Sequence, residues 1–222
     1  MMMNIFSIFD PSTSQVLSLN WLSITLLFIF LPYQFWLIPS RYLFTYIKSI
    51  DYIYNELKTL ISYSYSNLII FISLLFIIFF NNFLGLFPFI FTPSSHLSFS
   101  LSLSLSFWVS IMTFSLINYF NDLLAHLTPL GTPLILMPFM VIIESISLLI
   151  RPFTLAIRLS ANMIAGHLLL SLLGSSGQLI NFMPIIFIML FVQILLFILE
   201  ISVSVIQSYV FTILSTLYSS ET

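Results

Sequence analysis

The residues of this chain that could do chemistry gather in one stretch, ESISLLIRPFTLAIRLSANMIAGH, residues 144–167. Glu144, Arg151 and Arg158 stand seven residues apart. On a helix seven residues turn the chain by about −20°, so the three share one slowly drifting stripe. Asn162, four beyond Arg158, continues it within about 40°. His167, nine beyond Arg158, falls about 180° round the helix and at another depth. A second apolar block repeats the spacing: Gln193, Glu200 and Gln207 are seven apart, with Ser204 one turn past Glu200. Two heptad-spaced polar stripes on successive apolar segments are the strongest signal in the chain.

Arginine keeps its proton at any accessible pH. Held in apolar surroundings, it repels protons and attracts carboxylates, so it is a barrier and not a carrier. Glu200 and His167 are of the opposite kind, because burial and neighbours can bring carboxyl and imidazole groups to exchange protons near neutral pH. One fixed cation flanked by titratable groups at two depths makes two half-paths separated by a plug. A charge in mid-span costs about 2.5–3.5 kcal/mol, which gives Arg158 and Glu200, each deep in an apolar block, a functional reading. Blander readings stand beside the others. Glu144 and Arg151 can snorkel to water from near a helix end. Gln193 and Gln207 can serve as interhelical hydrogen-bond glue.

Of the 222 residues 60% are hydrophobic and 5% charged, against about 25% charged in a soluble domain. The solvent for most of this surface is therefore lipid. A net charge of −2 without a basic patch excludes a nucleic-acid partner, and the lack of cysteine excludes disulfides and thiolate metal sites. No phosphate-binding loop or zinc spacing occurs, so neither a metal nor a cofactor is expected. MMMNIFSIFDPSTSQ lacks a basic n-region and an Arg-rich presequence. The expectation is direct insertion, or synthesis inside the compartment served.

The elements that must position these residues form an all-α polytopic membrane protein, one domain over residues 1–222. About five membrane-crossing helices and one amphipathic interfacial helix are expected. The first span covers 18–38, bounded or kinked by Pro32 and Pro39. Residues 41–58 hold Arg41, Lys48, Asp51, Glu56 and Lys58, five of the chain's twelve charges. There Arg41, Thr45, Lys48, Tyr52 and Asn55 share one side of a helix, and Leu43, Tyr46, Ile50, Ile53 and Leu57 another, as in an interfacial helix; a solvated loop is the alternative. Residues 59–121 carry no Asp, Glu, Lys or Arg. They make a hairpin of spans 66–90 and 98–121, broken at FPFIFTPSSH. SFSLSLSLSF, residues 98–107 in the second span, alternates like a strand, but an unpaired strand in lipid leaves its backbone unsatisfied, so a helix is expected. Its serines bond back to carbonyls one turn earlier and offer a small-residue packing surface.

Residues 122–135, with Asp122, His126, Pro129, Gly131 and Pro133, read as a loop in which His126 is solvated. The last two blocks, 136–173 and 178–218, form a hairpin turned by Gly174, Ser175, Ser176 and Gly177. A helix of this length spans nearly twice the ~30 Å hydrocarbon core, so both are expected to be long, bent and strongly tilted; breaks at Pro138, Pro152 and Pro184 are the alternative. Three of the five basic residues lie in the first connection. That makes it the positive, inner side, with the N-terminus outside and the C-terminus inside.

RPFTLAIRLSANMIAGH and LEISVSVIQSYVF, together with NNFLGLFPFIFTP and AHLTPLGTP, closely resemble the family of subunit a of the F-type ATP synthase, over nearly the whole chain. His167 paired with Glu200 is similar to the mitochondrial version, and FDPSTS to an invertebrate animal one. The resemblance implies that Arg158 faces the rotor ring of subunit c and holds two proton half-channels apart. It implies that His167 and Glu200, with Asn162 and Gln207, belong to the access path from the intermembrane space, and that Glu144 lies towards the matrix exit. Arg151 receives no role. The implied partners are the c ring, the peripheral stalk and other membrane-sector subunits, lipid and protons. The implied place is the mitochondrial inner membrane, N-terminus in the intermembrane space and C-terminus in the matrix. The chain would be no enzyme on its own. Two other readings are a haem- or quinone-binding respiratory subunit, which would want paired histidines in facing helices, and an autonomous secondary transporter, which would want internal repeats.

Overall fold

The computed structural model describes residues 5–14, 17–61, 67–87, 89–128, 133, 135–177 and 182–221, and every regular element among them is helical. Short 3₁₀ turns at Ile5–Phe9 and Leu19–Leu26 lead into α1, Leu27–Phe30. Then follow α2, Arg41–Leu60; α3, Leu68–Gly85; a 3₁₀ turn, Pro93–Ser95; α4, Leu97–Asn118; α5, Phe120–His126; α6, Met137–Gly177; and α7, Met183–Glu221. The helices α3, α4, α6 and α7 are each long and apolar enough to cross a membrane, and Leu19–Phe30 is a shorter apolar helix.

The first segment is the largest departure from the expected elements. Regular structure ends at Phe30 instead of continuing to 38. Pro32 is the cause: it disfavours helical backbone in the residue before it, and Leu31 is extended at φ −74°, ψ 126°. Residues 122–126 also differ from the expected loop, since Asp122 and His126 lie on α5. An acidic residue in the first turn and histidine in the last complement the helix dipole. Gly174 to Gly177 do not turn the chain; they close α6. Ser175 and Ser176 donate to the carbonyls of Leu172 and Leu173, both at 2.9 Å, the same back-bond that Ser147 and Ser171 make inside the helix. Pro129, Gly131 and residues 178–181 lie outside the described residues.

α2 has the two sides its sequence pattern requires. Arg41, Thr45, Lys48, Tyr52 and Asn55 are exposed, whereas Leu43 and Leu57 are buried and Tyr46, Ile50 and Ile53 half-buried. Leu57 and Ile61 pack with Leu68 and Phe71 of α3, and Tyr209 of α7 donates to Glu56 at 3.2 Å. The helix is thus tied to the bundle by its covered side.

The long helices pack with almost no charge between them. Leu74 and Ile78 of α3, Leu155 and Leu159 of α6 and Phe211 of α7 form one core, with Leu103 and Phe107 of α4 against it. Around it lie small hydroxyl residues: Ser100, Ser104 and Ser115 of α4, and Ser204, Ser208, Thr212, Ser215 and Thr216 of α7, are all buried. Small side chains let helix backbones approach where no hydrophobic force acts between helices in lipid. Each of these hydroxyls bonds within its own helix to the carbonyl three residues back, Ser208 to Val205 at 2.7 Å for example, so no donor is wasted in the seam. The alternating run of α4 is resolved by the same geometry. Ser100 and Ser104, one turn apart, are buried, while Ser102 and Ser106 are exposed.

Leucine at the two kinds of serine therefore separates in effect. Ser100→Leu should overpack the seam and cost about 1–3 kcal/mol. Ser102→Leu should leave stability within about 0.5 kcal/mol, as surface substitutions usually do. Denaturation midpoints of the detergent-solubilised variants measure the difference, and equal midpoints would refute the seam.

Candidate functional site

Two contacts set how α6 and α7 lie against each other. The guanidinium of Arg151 stacks over the Tyr218 ring, 4.8 Å from its centroid. Fifteen residues later on α6, the Glu200 carboxyl lies against Gly166: a Cβ built there would be 2.9 Å from Oε1 and 3.0 Å from Cδ. As the number rises along α6 it falls along α7, so the helices run antiparallel. The polar residues of both stripes are sorted by this register into two separate groups.

The first group holds Glu144 and Arg151. Arg151 Nη2 and Glu144 Oε1 are 3.5 Å apart, two helical turns from each other. Both line a cavity of about 270 Å³ between α4, α5, α6 and α7, whose other walls include Trp108, His126, Phe211 and Tyr218. Arg151 is only 24% exposed and is occupied by these neighbours. His126 is exposed.

The second group holds His167 and Glu200. The His167 imidazole lies close to the Gly85 backbone at the end of α3, and the Phe9 ring meets it edge-on at 6.2 Å. His167 Nε2 and Glu200 Oε2 are both buried without a protein partner. Asn162 is half-buried one turn before Gly166, and Gln207 is half-buried two turns beyond Glu200. Glycine is needed at 166 for close approach: any side chain would displace the carboxyl. Gly85 is crowded in the same way, since a Cβ there would come within 2.8 Å of Thr92 Cγ2.

Arg158 belongs to neither group. It is exposed on α6, with no hydrogen bond or ion pair to any described residue. Phe153 and Ile157 are exposed beside it, as are Val205, Ile206 and Tyr209 on α7. The aligned Glu144–Arg151–Arg158 stripe therefore divides: Arg151 and Glu144 turn into the bundle, and Arg158 stays on its outer apolar surface. The opposed direction of His167 holds. Spacing alone did not disclose Gly166, Gly85, Tyr218 or the buried polar residues Asn81, Asn82, Thr92, Ser94 and Ser95. The one trace of the last set is the pair of asparagines inside a charge-free block.

A family model described as "ATP synthase A chain" matches residues 2–220. Among curated proteins the chain is similar to "ATP synthase subunit a" of Anopheles quadrimaculatus, 53% identical over 224 residues, covering 100% of this chain and 99% of that one. It is 54% identical over 223 residues to the protein of that name from Drosophila simulans, again across 100% of this chain and 99% of the other.

The Gly166–Glu200 contact makes a prediction of its own. Gly166→Ala should leave the fold standing, because the atoms in the way belong to a side chain that can rotate. It should nevertheless move the carboxyl. The carboxyl band of Glu200 in isotope-edited infrared spectra should shift while the denaturation midpoint stays in place; an unmoved band would mean that the contact is loose.

Proposed function

The chain belongs to the ATP synthase A chain family, and from that premise we propose that Arg158 is the fixed charge that separates two proton half-channels beside a rotor ring. A member of this family is the proton-translocating stator subunit of the ATP synthase membrane sector. This chain is such a channel component, a multi-pass inner-membrane protein and not an enzyme on its own. The haem- or quinone-binding and secondary-transporter readings have no support from this membership.

One observation carries the assignment of Arg158: a guanidinium without an internal partner, exposed on an apolar helix surface. Such a cation in lipid is costly, and it is stabilised when a carboxylate from outside the chain comes to meet it. The rotor ring of subunit c supplies that carboxylate. Deprotonated, the rotor carboxylate is drawn to Arg158; protonated, it is neutral and can leave for lipid. Because the guanidinium does not release its proton, protons cannot pass it directly and must ride the ring.

The access path reaches the ring through the second group. Protons from the intermembrane space arrive at His167 and Glu200, with Asn162 and Gln207 beside them, and are handed to the rotor carboxylate. After nearly a full turn of the ring they leave near Glu144 towards the matrix. Each proton crossing 100 mV releases about 2.3 kcal/mol, which the ring converts into rotation. The lengths of α6 and α7, 41 and 39 residues, support helices tilted far from the membrane normal, since about 60 Å of helix meets a core of ~30 Å. Tilted in this way they lie along the ring instead of crossing straight past it. The positive side of α2 faces the matrix, which puts the N-terminus in the intermembrane space and the C-terminus in the matrix. The peripheral stalk and other membrane-sector subunits hold the chain against the torque of the ring.

Two substitutions test the assignment in the assembled complex. Arg158→Ala should abolish proton-coupled ATP synthesis while the complex still assembles; synthesis at the normal rate would sink the role of Arg158. Glu200→Leu should slow delivery of protons to the ring from the intermembrane-space side. An unchanged flux in that variant would leave the second group as helix packing alone.

A further inference from the structure

We infer that the access path extends outward from His167 through the turn between α3 and α4, and that the imidazole of His96 is its outer proton-exchanging group. This rests on the access role given above to His167 and Glu200.

The buried polar atoms without protein partners mark the route. Besides His167 Nε2 and Glu200 Oε2, they include Asn81 Nδ2, both side-chain polar atoms of Asn82, Ser94 Oγ and His96 Nε2. Asn81 is 2% exposed, Asn82 0% and Ser94 1%. Interior polar groups are satisfied by protein or by ordered water, and a buried water needs two to four polar partners. Donors and acceptors this dense, with no partners among themselves, are a lining for water.

A chain of close approaches runs from His167 to the turn. His167 lies beside the Gly85 backbone. Gly85 is pressed against Thr92. Thr92 Oγ1 donates to Ser95 Oγ at 3.1 Å, and Ser95 precedes His96. The His96 ring sits 5.1 Å from both Trp21 and Phe91, which stand 5.5 Å from each other. The aromatic pair leaves the ring half-exposed while Nε2 is buried. An imidazole with one nitrogen turned inward and part of its ring at the surface is built to accept a proton on one side and release it on the other.

The amino-terminal arm runs over the same route. Phe9 packs on His167, and the Asp10 carbonyl accepts from Asn20, at 3.2 Å, next to Trp21. The Asp10 carboxylate accepts from the backbone N–H and the hydroxyl of Ser12, at 3.0 and 2.8 Å, which hold it below the usual carboxylate range. It is thus an anion at the outer end of the arm. The other elements around His96 contribute few titratable groups. α3, α4 and the turn Leu19–Leu26 have no acidic or basic side chain, and α6 contributes His167 by way of Gly85.

The test uses the complete complex in proteoliposomes, with proton flux driven from the side that His96 faces. His96→Phe keeps the ring against Trp21 and Phe91 and removes both nitrogens. His96→Gln keeps a polar inward group that cannot titrate. In both, flux should fall by roughly tenfold, less than the hundredfold or more usual for a proton-transfer group because water near the asparagines leaves a bypass. The pH profile of flux should also change shape, because neither replacement side chain can exchange a proton. If His96→Phe does not assemble, His96→Gln decides alone. Glu200→Leu runs beside them. If Glu200→Leu blocks flux while both His96 variants conduct with the wild-type profile, the path stops at His167 and the inference is overturned. If Glu200→Leu itself conducts normally, the access reading has failed beneath it.

Discussion

A guanidinium that cannot give up its proton, held on an apolar surface where no described residue pairs with it, is the constraint the rest of the structure answers. Arg151, seven residues earlier on the same helix, is partly covered and has partners within the chain: it closes on Glu144 and stacks on Tyr218. The two arginines differ in whether the bundle offers them partners. Arg151 faces a cavity with a carboxylate and a phenol in its wall, and Arg158 faces outward among Phe153 and Ile157.

Keeping one cation unneutralised demands that everything else be settled internally. Nearly every buried hydroxyl in α4 and α7 returns its proton to its own helix, so the seams between helices need no cross-helix bonds and tolerate close approach. The exception is the region where α3 ends, α4 begins and α6 carries His167. There the side chains of Asn81, Asn82, Ser94, His96, His167 and Glu200 keep unpaired atoms. Polar groups are thus paired where α4 and α7 meet their neighbours, and unpaired in that one region. The antiparallel register of α6 and α7 keeps that region apart from the Glu144–Arg151 cavity by more than three turns of α6, with Arg158 between them.

The fold class was legible because lipid imposes simple rules. Apolar length, proline position and the near-absence of charge led to the long helices, and the two-sided pattern of residues 41–58 is the observed division of α2 into covered and exposed sides. Local chemistry overrode pattern where the readings differed. Leu31 was pulled out of a helix by Pro32. Asp122 and His126 suited the dipole of a short helix. The stretch Gly174 to Gly177, expected to turn the chain, stayed helical and became the end of α6.

Spacing along a single helix determined that Arg158 and Asn162 share a face while His167 points the other way, that Glu200 and Gln207 share a stripe, and that a charge at 158 or 200 needs a reason. That much follows from 3.6 residues per turn and from the cost of charge in lipid, both of which act on one helix at a time. Only the tertiary structure decided which groups meet. Arg151 was drawn inward by a tyrosine 67 positions later, the Glu200 carboxyl was seated on a glycine of another helix, and the Gly85 that ends α3 was pressed against Thr92 of the turn leading to His96. Contacts of this kind depend on the register between helices, which is set by small buried residues distributed over the whole chain and has no local signature.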